Sequence, residues 1–267
     1  MFDALPGLEP LTGKSPMPYP GGKYKGRHKI KAEFPRGVKT MLSPFCGGAH
    51  LELCCAKDGI RVYCYDIYAD LIKSFKHMQG DPQRFYEEAI THIPGDSIEF
   101  KALKQYYTTI TDPFERSCVF YVVHKYSFSG LGFSGGSSPW KISKFHKNSR
   151  SVKAVKHFHN PLISFDCLPF EESLDKHKDI FAYLDPPYLL DYCNNLYGKD
   201  GQLHKSFNHN LLWEILRSRS APWCLSYNDS EEVKRMYNGY RFAFPSWHWS
   251  ITKNARHESQ EILIMNY

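Results

Sequence analysis

An alternation of short apolar runs and helical segments near the start of the chain constrains its fold more than any other feature. Residues 38–42 and 61–65 are apolar runs of strand length. Between them, a glycine-containing turn over 43–49 precedes a predicted helix over 50–58. A further helix is predicted over 69–78. Strand–turn–helix–strand units build parallel sheets, so the chain is expected to adopt an α/β fold.

The same signature returns in the second half of the chain, which indicates that one sheet is assembled from two parts of the sequence. Four more strand-length runs occur there: 162–165, 180–184, 223–227 and 261–265. Helices are predicted over 211–217 and 230–237. We therefore predict one domain with a Rossmann-like sheet, made of residues 1–80 and 161–267, and a second domain of residues 81–160 inserted into it.

The predicted insertion differs in character from the rest of the chain. Residues 83–90 and 99–107 are predicted helices, and 114–126 is a further apolar segment. Residues 127–138 form a Gly- and Ser-rich loop with aromatic residues, which is not expected to be part of a core. The inserted domain is therefore predicted to be mainly helical, with one long loop.

The distribution of charge is more informative than the net charge of +6. Residues 116–165 contain no Asp or Glu but eight Lys and Arg residues: Arg116, Lys125, Lys141, Lys144, Lys147, Arg150, Lys153 and Lys156. A second basic cluster lies nearer the N-terminus: Lys23, Lys25, Arg27, Lys29 and Lys31. Cations clustered without counter-charges are typical of proteins that bind a phosphate backbone. A nucleic-acid partner is therefore predicted, with a solvated basic face as the alternative.

Composition argues against a membrane protein, a secreted protein and a metalloprotein. No apolar run approaches the roughly 18 residues that span a bilayer, and the first residues lack the pattern of a secretion signal. The eight cysteines form no C-x-x-C pair and no zinc spacing, so they are expected to be reduced thiols. The thirteen histidines are scattered, and no metal site is expected.

A turn with two glycines, followed by an acid at the end of the next strand, predicts an adenosine-like ligand. The turn consists of Phe45, Cys46, Gly47, Gly48 and Ala49. Glycines at a strand-to-helix turn let the backbone approach a ligand closely, and Asp66 lies where an acid binds ribose hydroxyls. Asp166 and Cys167 end another predicted strand, where a carboxylate and a backbone N–H can contact adenine. A helix cap is the alternative for that pair.

Asp185, Pro186, Pro187 and Tyr188 form the most informative tetrapeptide of the chain. They follow the predicted strand 180–184, and the two prolines make a stiff, extended corner that lacks backbone N–H groups. The Asp185 carboxylate and the Pro186 carbonyl can each accept one N–H of an amino group on a flat ring, while Tyr188 stacks on that ring. Such a corner orients a weakly nucleophilic amine toward an electrophile, so group transfer is predicted.

Taken in order, these motifs resemble the Dam-type adenine-N6 DNA methyltransferases from about Tyr19 to Tyr267. Residues 19–23 resemble the family's Y-x-G-G-K motif, and 44–49 resemble its P-F-x-G-x-G turn, with Ala49 in place of a glycine. Residues 185–188 match its catalytic D-P-P-Y motif, so Asp185, Pro186, Pro187 and Tyr188 are the implied catalytic residues. The resemblance implies a methyltransferase sheet and an inserted domain for target recognition.

The resemblance also implies S-adenosylmethionine as the cofactor. The implied contacts come from the N-terminal motif, the turn and three strand ends: Tyr19, Lys23, Phe45, Cys46, Gly47, Gly48, Ala49, Asp66, Asp166, Cys167 and Asp185. The family acts on an adenine that is flipped out of the duplex, on which Tyr188 is expected to stack.

Residues 125–131 resemble the family's R-Y-x-Y-N-G-L stretch, in which an aromatic residue wedges into the duplex. Here Phe128 takes the aromatic position and Ser129 replaces the asparagine. Phe133 stands where relatives that read GATC carry an arginine, so a target other than GATC is expected. The predicted DNA contacts are Lys125, Tyr126, Phe128, Ser129, Gly130, Leu131, Phe133, Lys141 and Lys144.

Other functions remain open at the level of sequence. Cytosine-N4 enzymes more often carry Ser in place of Asp185, and RNA adenine is an alternative target because the insertion could form an aromatic-lined channel. From another class, the chain could be a non-catalytic DNA-binding module that retains the fold. We expect a monomer in the cytoplasm of a prokaryotic or phage-infected cell, with duplex DNA as its partner.

Overall fold

The computed structural model describes residues 13–144, 149–189, 207–246, 248–252, 255–258 and 261–267. The strands in these ranges are β1 (Thr40–Ser43), β2 (Arg61–Tyr65), β3 (Ile163–Asp166), β4 (Phe181–Leu184), β5 (Trp223–Asn228), β6 (Arg241–Ala243), β7 (His248–Thr252), β8 (Ala255–Glu258) and β9 (Glu261–Met265). Seven of them form one sheet in the order β3-β2-β1-β4-β5-β9-β6, and β7 pairs with β8 separately. Strands β1 to β5 are parallel, whereas β9 is antiparallel to β5 and β6.

Helices surround this sheet, which confirms the expected α/β fold at the level of a central sheet with helices. They are α1 (Arg27–Ala32), α2 (His50–Lys57), α3 (Ala69–Gly80), α4 (Pro82–Thr91), α5 (Ser97–Tyr106), α6 (Pro113–Tyr126), α7 (Pro139–Lys144), α8 (Arg150–Lys153), α9 (Phe170–Lys176), α10 (His209–Ser218) and α11 (Glu231–Met236). Every strand predicted from sequence is present within two residues of its expected start. The antiparallel direction of β9 was not foreseen, because an apolar run carries no information about direction.

The central strands are buried on both faces because helices cover both sides of the sheet. All four residues of β4 are buried, and successive side chains enter two different cores. Phe181 and Tyr183 face one core, whereas Ala182 and Leu184 face the other. This alternation follows from the twofold repeat of a strand, and it explains why the parallel strands read as continuous apolar runs.

Three helices of the segment 81–160 begin at aspartates. Asp81, Asp96 and Asp112 each accept a hydrogen bond from a backbone N–H in the first helical turn, at 2.7–3.0 Å. Pro82 and Pro113 occupy the first positions of α4 and α6, where a missing N–H costs nothing. Each cap stabilises its helix by about 1 kcal/mol. These local signals explain why the helices could be predicted.

The helices of this segment share their core with the sheet. Phe75 of α3 stacks on Phe165 of β3, with ring centroids 4.4 Å apart, and on Phe158, at 5.8 Å. Buried residues of α4, α5 and α6 belong to the same continuous core as β1 and β2. The segment therefore packs against one face of the sheet, and its assignment as a separate domain stays a prediction.

The loop over 127–138 is more ordered than its composition predicts. Ser127 is fully buried, and Gly130 and Gly132 are buried as well. Gly132 has a φ of 58°, and a Cβ there would lie 2.3 Å from Nε2 of His124. The expectation that this loop avoids the core was therefore wrong at these positions, because its glycines let it pack closely on α6.

Within the described ranges, no helix has the length and apolar character needed to cross a bilayer. Seven cysteines in these ranges are free thiols, and only Cys167 among them is exposed. Cys193 lies outside the described residues.

Candidate active site

A cavity of about 280 Å³ opens at the carboxyl ends of β1, β2 and β4. Its walls come from parts of six segments: 19–23, 44–52, 66–67, 169–171, 183–187 and 207–211. Ligands in open α/β sheets bind in the crevice outside these strand ends. The cavity is therefore the candidate active site, and it joins three motifs that are far apart in the sequence.

The glycine-containing turn is shaped by Tyr19, which packs directly on it. A Cβ at Gly48 would lie 2.9 Å from Cβ of Tyr19 and 3.1 Å from the carbonyl oxygen of Met17. Gly47 has a φ of 45°, and Ala49 has a φ of 52° in the left-handed region that favours glycine. The turn and the N-terminal motif therefore form one surface of the cavity, together with Lys23, Phe45 and Cys46.

Asp66 closes the turn from the end of β2. Its carboxylate accepts hydrogen bonds from the backbone N–H of Gly47, at 3.0 Å, and of Tyr68, at 2.9 Å. Burial raises the pKa of Asp66, and the N–H donors oppose that rise. Asp66 lines the cavity, and its contact with ribose hydroxyls stays a prediction.

Asp185 forms an ion pair with Lys23 at the end of β4. The Nζ atom of Lys23 lies 2.7 Å from Oδ1 of Asp185 and 3.5 Å from Oε1 of Glu261. Lys23 is 5% exposed and Asp185 is 19% exposed. Burial raises the pKa of Asp185 above its usual value, although the Lys23 ammonium opposes the rise. Sequence reasoning missed Glu261, which reaches this site from β9.

Tyr188 lies beside the ion pair but outside the cavity wall. Its ring stacks on Tyr227 with centroids 6.0 Å apart, and Nζ of Lys23 lies 5.1 Å from its centroid. Burial and the neighbouring Glu261 carboxylate raise the pKa of Tyr188 well above its usual value. Of the tetrapeptide, Asp185 and Pro187 line the cavity, whereas Pro186 is buried and does not line it.

Asp166 and Cys167 do not line the cavity in this structure. Asp166 is half exposed, and its carboxylate pairs with Nζ of Lys76 at 2.7 Å. This ion pair lowers the pKa of Asp166. The backbone N–H of Cys167 donates to the same carboxylate at 3.0 Å. In this structure the Asp166 carboxylate pairs with Lys76 and is not part of the cavity wall. The contact of Asp166 and Cys167 with a cofactor therefore stays a prediction.

An aromatic wall occupies the side of the cavity next to Asp66. Phe45 lies 5.5 Å from Phe170 and 5.6 Å from Phe207, measured between ring centroids. Ile67 also lines the cavity, and its side chain is 58% exposed. Phe170 and Ile67 were missed because neither belongs to a motif. Apolar residues two and four positions after the ends of β2 and β3 were the available signal.

The predicted DNA-contacting loop has an exposed tip. Phe128 is 56% exposed, and Ser129 beside it has a φ of 51°. Trp140 is 59% exposed, and Nζ of Lys144 lies 4.5 Å from its ring centroid. Exposed aromatic rings next to lysines are suited to stacking on bases beside a phosphate backbone.

Several predicted DNA contacts are buried instead. Lys125 and Tyr126 are 6% and 1% exposed, so neither side chain is available to DNA in this structure. The Nζ of Lys125 donates to the carbonyl oxygen of Ser151, and burial lowers its pKa to about 7. Phe133 packs on Tyr107 at 4.3 Å, because α5 and α6 offer it an aromatic surface.

The other predicted contacts of this loop have mixed positions. Lys141 is half-buried and donates to the carbonyl oxygen of Ser127 at 2.7 Å. Leu131 is half-buried, and Gly130 is buried against the backbone of Pro18. The loop therefore touches the segment that carries Tyr19. Lys147 lies outside the described residues.

One cluster in the described ranges has side chains that could hold a metal ion. Ligand atoms of Glu88, His92 and Glu115 lie within 4.8 Å of one another, on α4 and α6. The His92–Glu88 pair, at 3.0 Å, accounts for the arrangement without an ion. The cluster is not part of the cavity wall.

Comparison with known proteins shows that this chain is similar to one family over most of its length. A family model described as D12 class N6 adenine-specific DNA methyltransferase matches residues 19–252. The DNA adenine methylase of Haemophilus influenzae is 23% identical over 265 residues, which cover 92% of this chain and 91% of that protein. The DNA adenine methylase of Salmonella typhi is 22% identical over 272 residues, which cover 93% and 94% of the two chains. The Type II methyltransferase M.FokI of Planomicrobium okeanokoites is 27% identical over 291 residues, which cover 95% of this chain but 43% of that protein.

Proposed function

The chain belongs to the D12 class N6 adenine-specific DNA methyltransferases, and we propose that it transfers a methyl group from S-adenosylmethionine to an adenine extruded from duplex DNA. The chain is thus a DNA adenine methyltransferase. The donor, the extrusion of the base and the roles of single residues are inferred. The main support for these roles is the ion pair between Lys23 and Asp185, which lies in the same cavity as the glycine-containing turn.

The cavity has features that suit the adenosyl part of the donor. Its volume of about 280 Å³ is close to the lower end of small-molecule sites, about 300 Å³. Two atoms on its wall are buried without a hydrogen-bond partner in the described ranges, Nδ1 of His50 and Oε2 of Glu171. Asp66 would accept from ribose hydroxyls, and the aromatic wall of Phe45, Phe170 and Phe207 would contact the base. S-adenosylmethionine would supply a methyl group activated by a sulfonium.

The corner at the end of β4 would position the acceptor. The Asp185 carboxylate and the Pro186 carbonyl would each accept one N–H of the adenine amino group. This arrangement favours a nitrogen lone pair that points toward the donor. Lys23 pairs with this carboxylate at 2.7 Å, and Tyr188 would stack on the extruded base.

Duplex DNA would bind along the exposed residues of the segment 127–144. The exposed rings of Phe128 and Trp140 and the Lys144 ammonium support this surface. Phe133 has no hydrogen-bond donor, so the bidentate contact that an arginine makes with guanine is not available at this position. Its ring packs against Tyr107 instead. We therefore infer a target other than GATC, and a monomer in the cytoplasm remains part of the proposal.

The proposed donor site predicts a large effect of one methyl group in the turn. Gly48→Ala is expected to raise the dissociation constant of S-adenosylmethionine at least about tenfold, because its Cβ would displace Tyr19. Isothermal titration calorimetry checks this value. Gly80→Ala is the matched control, since a Cβ there meets nothing within 4 Å. If both variants bound S-adenosylmethionine with equal affinity, the turn would not be part of the donor site.

The proposed reaction is tested by transfer of a labelled methyl group from S-adenosylmethionine. The protein is incubated with duplex DNA, single-stranded DNA or RNA, and the nucleic acid is digested to nucleosides. We expect the label in N6-methyl-deoxyadenosine from the duplex. Label in cytosine, or in RNA alone, would contradict the proposal.

A further inference from the structure

Acidic side chains outnumber basic ones on the wall of the cavity. The described residues that line it carry four carboxylates and one ammonium group: Glu52, Asp66, Glu171, Asp185 and Lys23. His50 also lines the cavity, but burial lowers its pKa to about 4, so the ring is neutral at pH 7. The wall therefore has a surplus of negative charge once the carboxylates are ionised.

Lys23 does not offset this surplus, because it already pairs with two carboxylates. Its Nζ lies 2.7 Å from Asp185 and 3.5 Å from Glu261. Glu261 is 8% exposed, and its Oε2 has no hydrogen-bond partner among the described residues. The single ammonium group of Lys23 is therefore shared by two carboxylates, Asp185 and Glu261, and Glu52 is a further acid.

Glu52 is the most buried acid on this wall, and it forms no ion pair with a cation in the described ranges. It is 3% exposed, and its Oε1 accepts a hydrogen bond from Oγ of Ser43 at 2.7 Å. No ion pair joins it to a Lys, Arg or His in the described ranges. Burial raises the pKa of Glu52 to about 7, and Asp185 adds to the rise, whereas the Ser43 hydrogen bond and the Lys23 ammonium oppose it. A buried carboxylate that forms no ion pair is costly, and a positively charged ligand reduces that cost.

We propose that Glu52 attracts the positive charge of the methyl donor and thereby makes the cavity distinguish the sulfonium donor from the neutral thioether product. This inference rests on the proposed function. During transfer the adenine nitrogen forms the new N–C bond, both electrons of the S–C bond remain on sulfur, and one N–H proton leaves to water. The sulfur thus loses its charge, so the attraction to Glu52 acts on the donor and ends with the reaction. Glu52 is therefore a residue that aids product release.

The test compares the affinities of donor and product by isothermal titration calorimetry at pH 8.5, where Glu52 is ionised. Glu52→Gln is expected to weaken S-adenosylmethionine binding about tenfold, and S-adenosylhomocysteine binding less than about twofold. The glutamine amide oxygen can still accept the Ser43 hydroxyl, and thermal unfolding checks that the fold is retained. Asp58→Asn is the matched control, because it removes one acid from the end of α2 outside the cavity. An equal loss of affinity for both ligands in Glu52→Gln would overturn the inference.

A measurement on the unaltered protein covers the case in which Glu52→Gln does not fold. The amine analogue of the donor, in which a CH–NH₃⁺ unit replaces the S⁺–CH₃ unit between the two chains, carries a positive charge that the thioether lacks. The protein is expected to bind this analogue about tenfold more tightly than S-adenosylhomocysteine. Tighter binding of the thioether would overturn the inference while leaving the proposed function intact. Failure of all three ligands to bind would overturn the proposed function, and the inference with it.

Discussion

Replacing Asp185 by asparagine is expected to lower the rate of methyl transfer about a thousandfold, with little change in donor binding. The adenine amino group is a weak nucleophile because its lone pair is conjugated with the ring. The carboxylate would draw one N–H toward itself and leave the lone pair facing the donor. An asparagine keeps the size and can still accept from Lys23, so the loss reports the carboxylate charge. Single-turnover transfer and calorimetry measure the two quantities separately.

Asp179→Asn is the matched control for this experiment. Asp179 is exposed and precedes β4, whereas Asp185 follows the same strand at its carboxyl end. The control is expected to transfer methyl groups at the unaltered rate. An Asp185→Asn variant with normal turnover would refute the role of the carboxylate.

Replacing Lys23 by methionine is expected to destabilise the fold by about 3 kcal/mol and to abolish transfer. The ammonium is 5% exposed, and its removal leaves Asp185 and Glu261 buried without a cation. Such a loss corresponds to a fall of roughly 8 °C in the midpoint of thermal unfolding. Thermal unfolding and the transfer assay check the two effects.

Two further variants distinguish the effect of losing the ion pairs of Lys23 from other effects of replacing a lysine by methionine. Adding Glu261→Gln to Lys23→Met is expected to recover part of the stability, because it removes one uncompensated charge. Lys25→Met is the exposed control two residues along, and it is expected to change neither quantity. A Lys23→Met variant that melts at the unaltered temperature would show that the pair does not contribute to stability.

The parts of the site that could be predicted from sequence are those with a local signature. The turn over 43–49 carries a glycine at the positive φ of Gly47 and another, Gly48, where a Cβ would meet Tyr19, and Asp66 follows a strand whose apolar run is evident. The corner at Asp185 is marked by two prolines. The strand order places these strand ends on one edge of a parallel sheet, which is why their grouping was predictable once the sheet was expected.

The parts that could not be predicted depend on contacts between distant segments. Lys23 and Glu261 meet at Asp185 only because β9 inserts between β5 and β6 and Tyr19 packs on the turn. The burial of Lys125 and Tyr126 was missed for a similar reason. The resemblance of residues 125–131 to the family's R-Y-x-Y-N-G-L stretch implied DNA contacts, whereas α6 is buried along most of its length.

The most direct test of the central claim is the structure of the protein bound to S-adenosylhomocysteine and a duplex that contains its target adenine. We expect an extruded adenine whose amino nitrogen lies within hydrogen-bonding distance, about 3 Å, of the Asp185 carboxylate and the Pro186 carbonyl. The sulfur of the product is expected on the opposite side of that nitrogen. An adenine that remains stacked in the duplex, or an Asp185 that faces away from the bound product, would contradict the account.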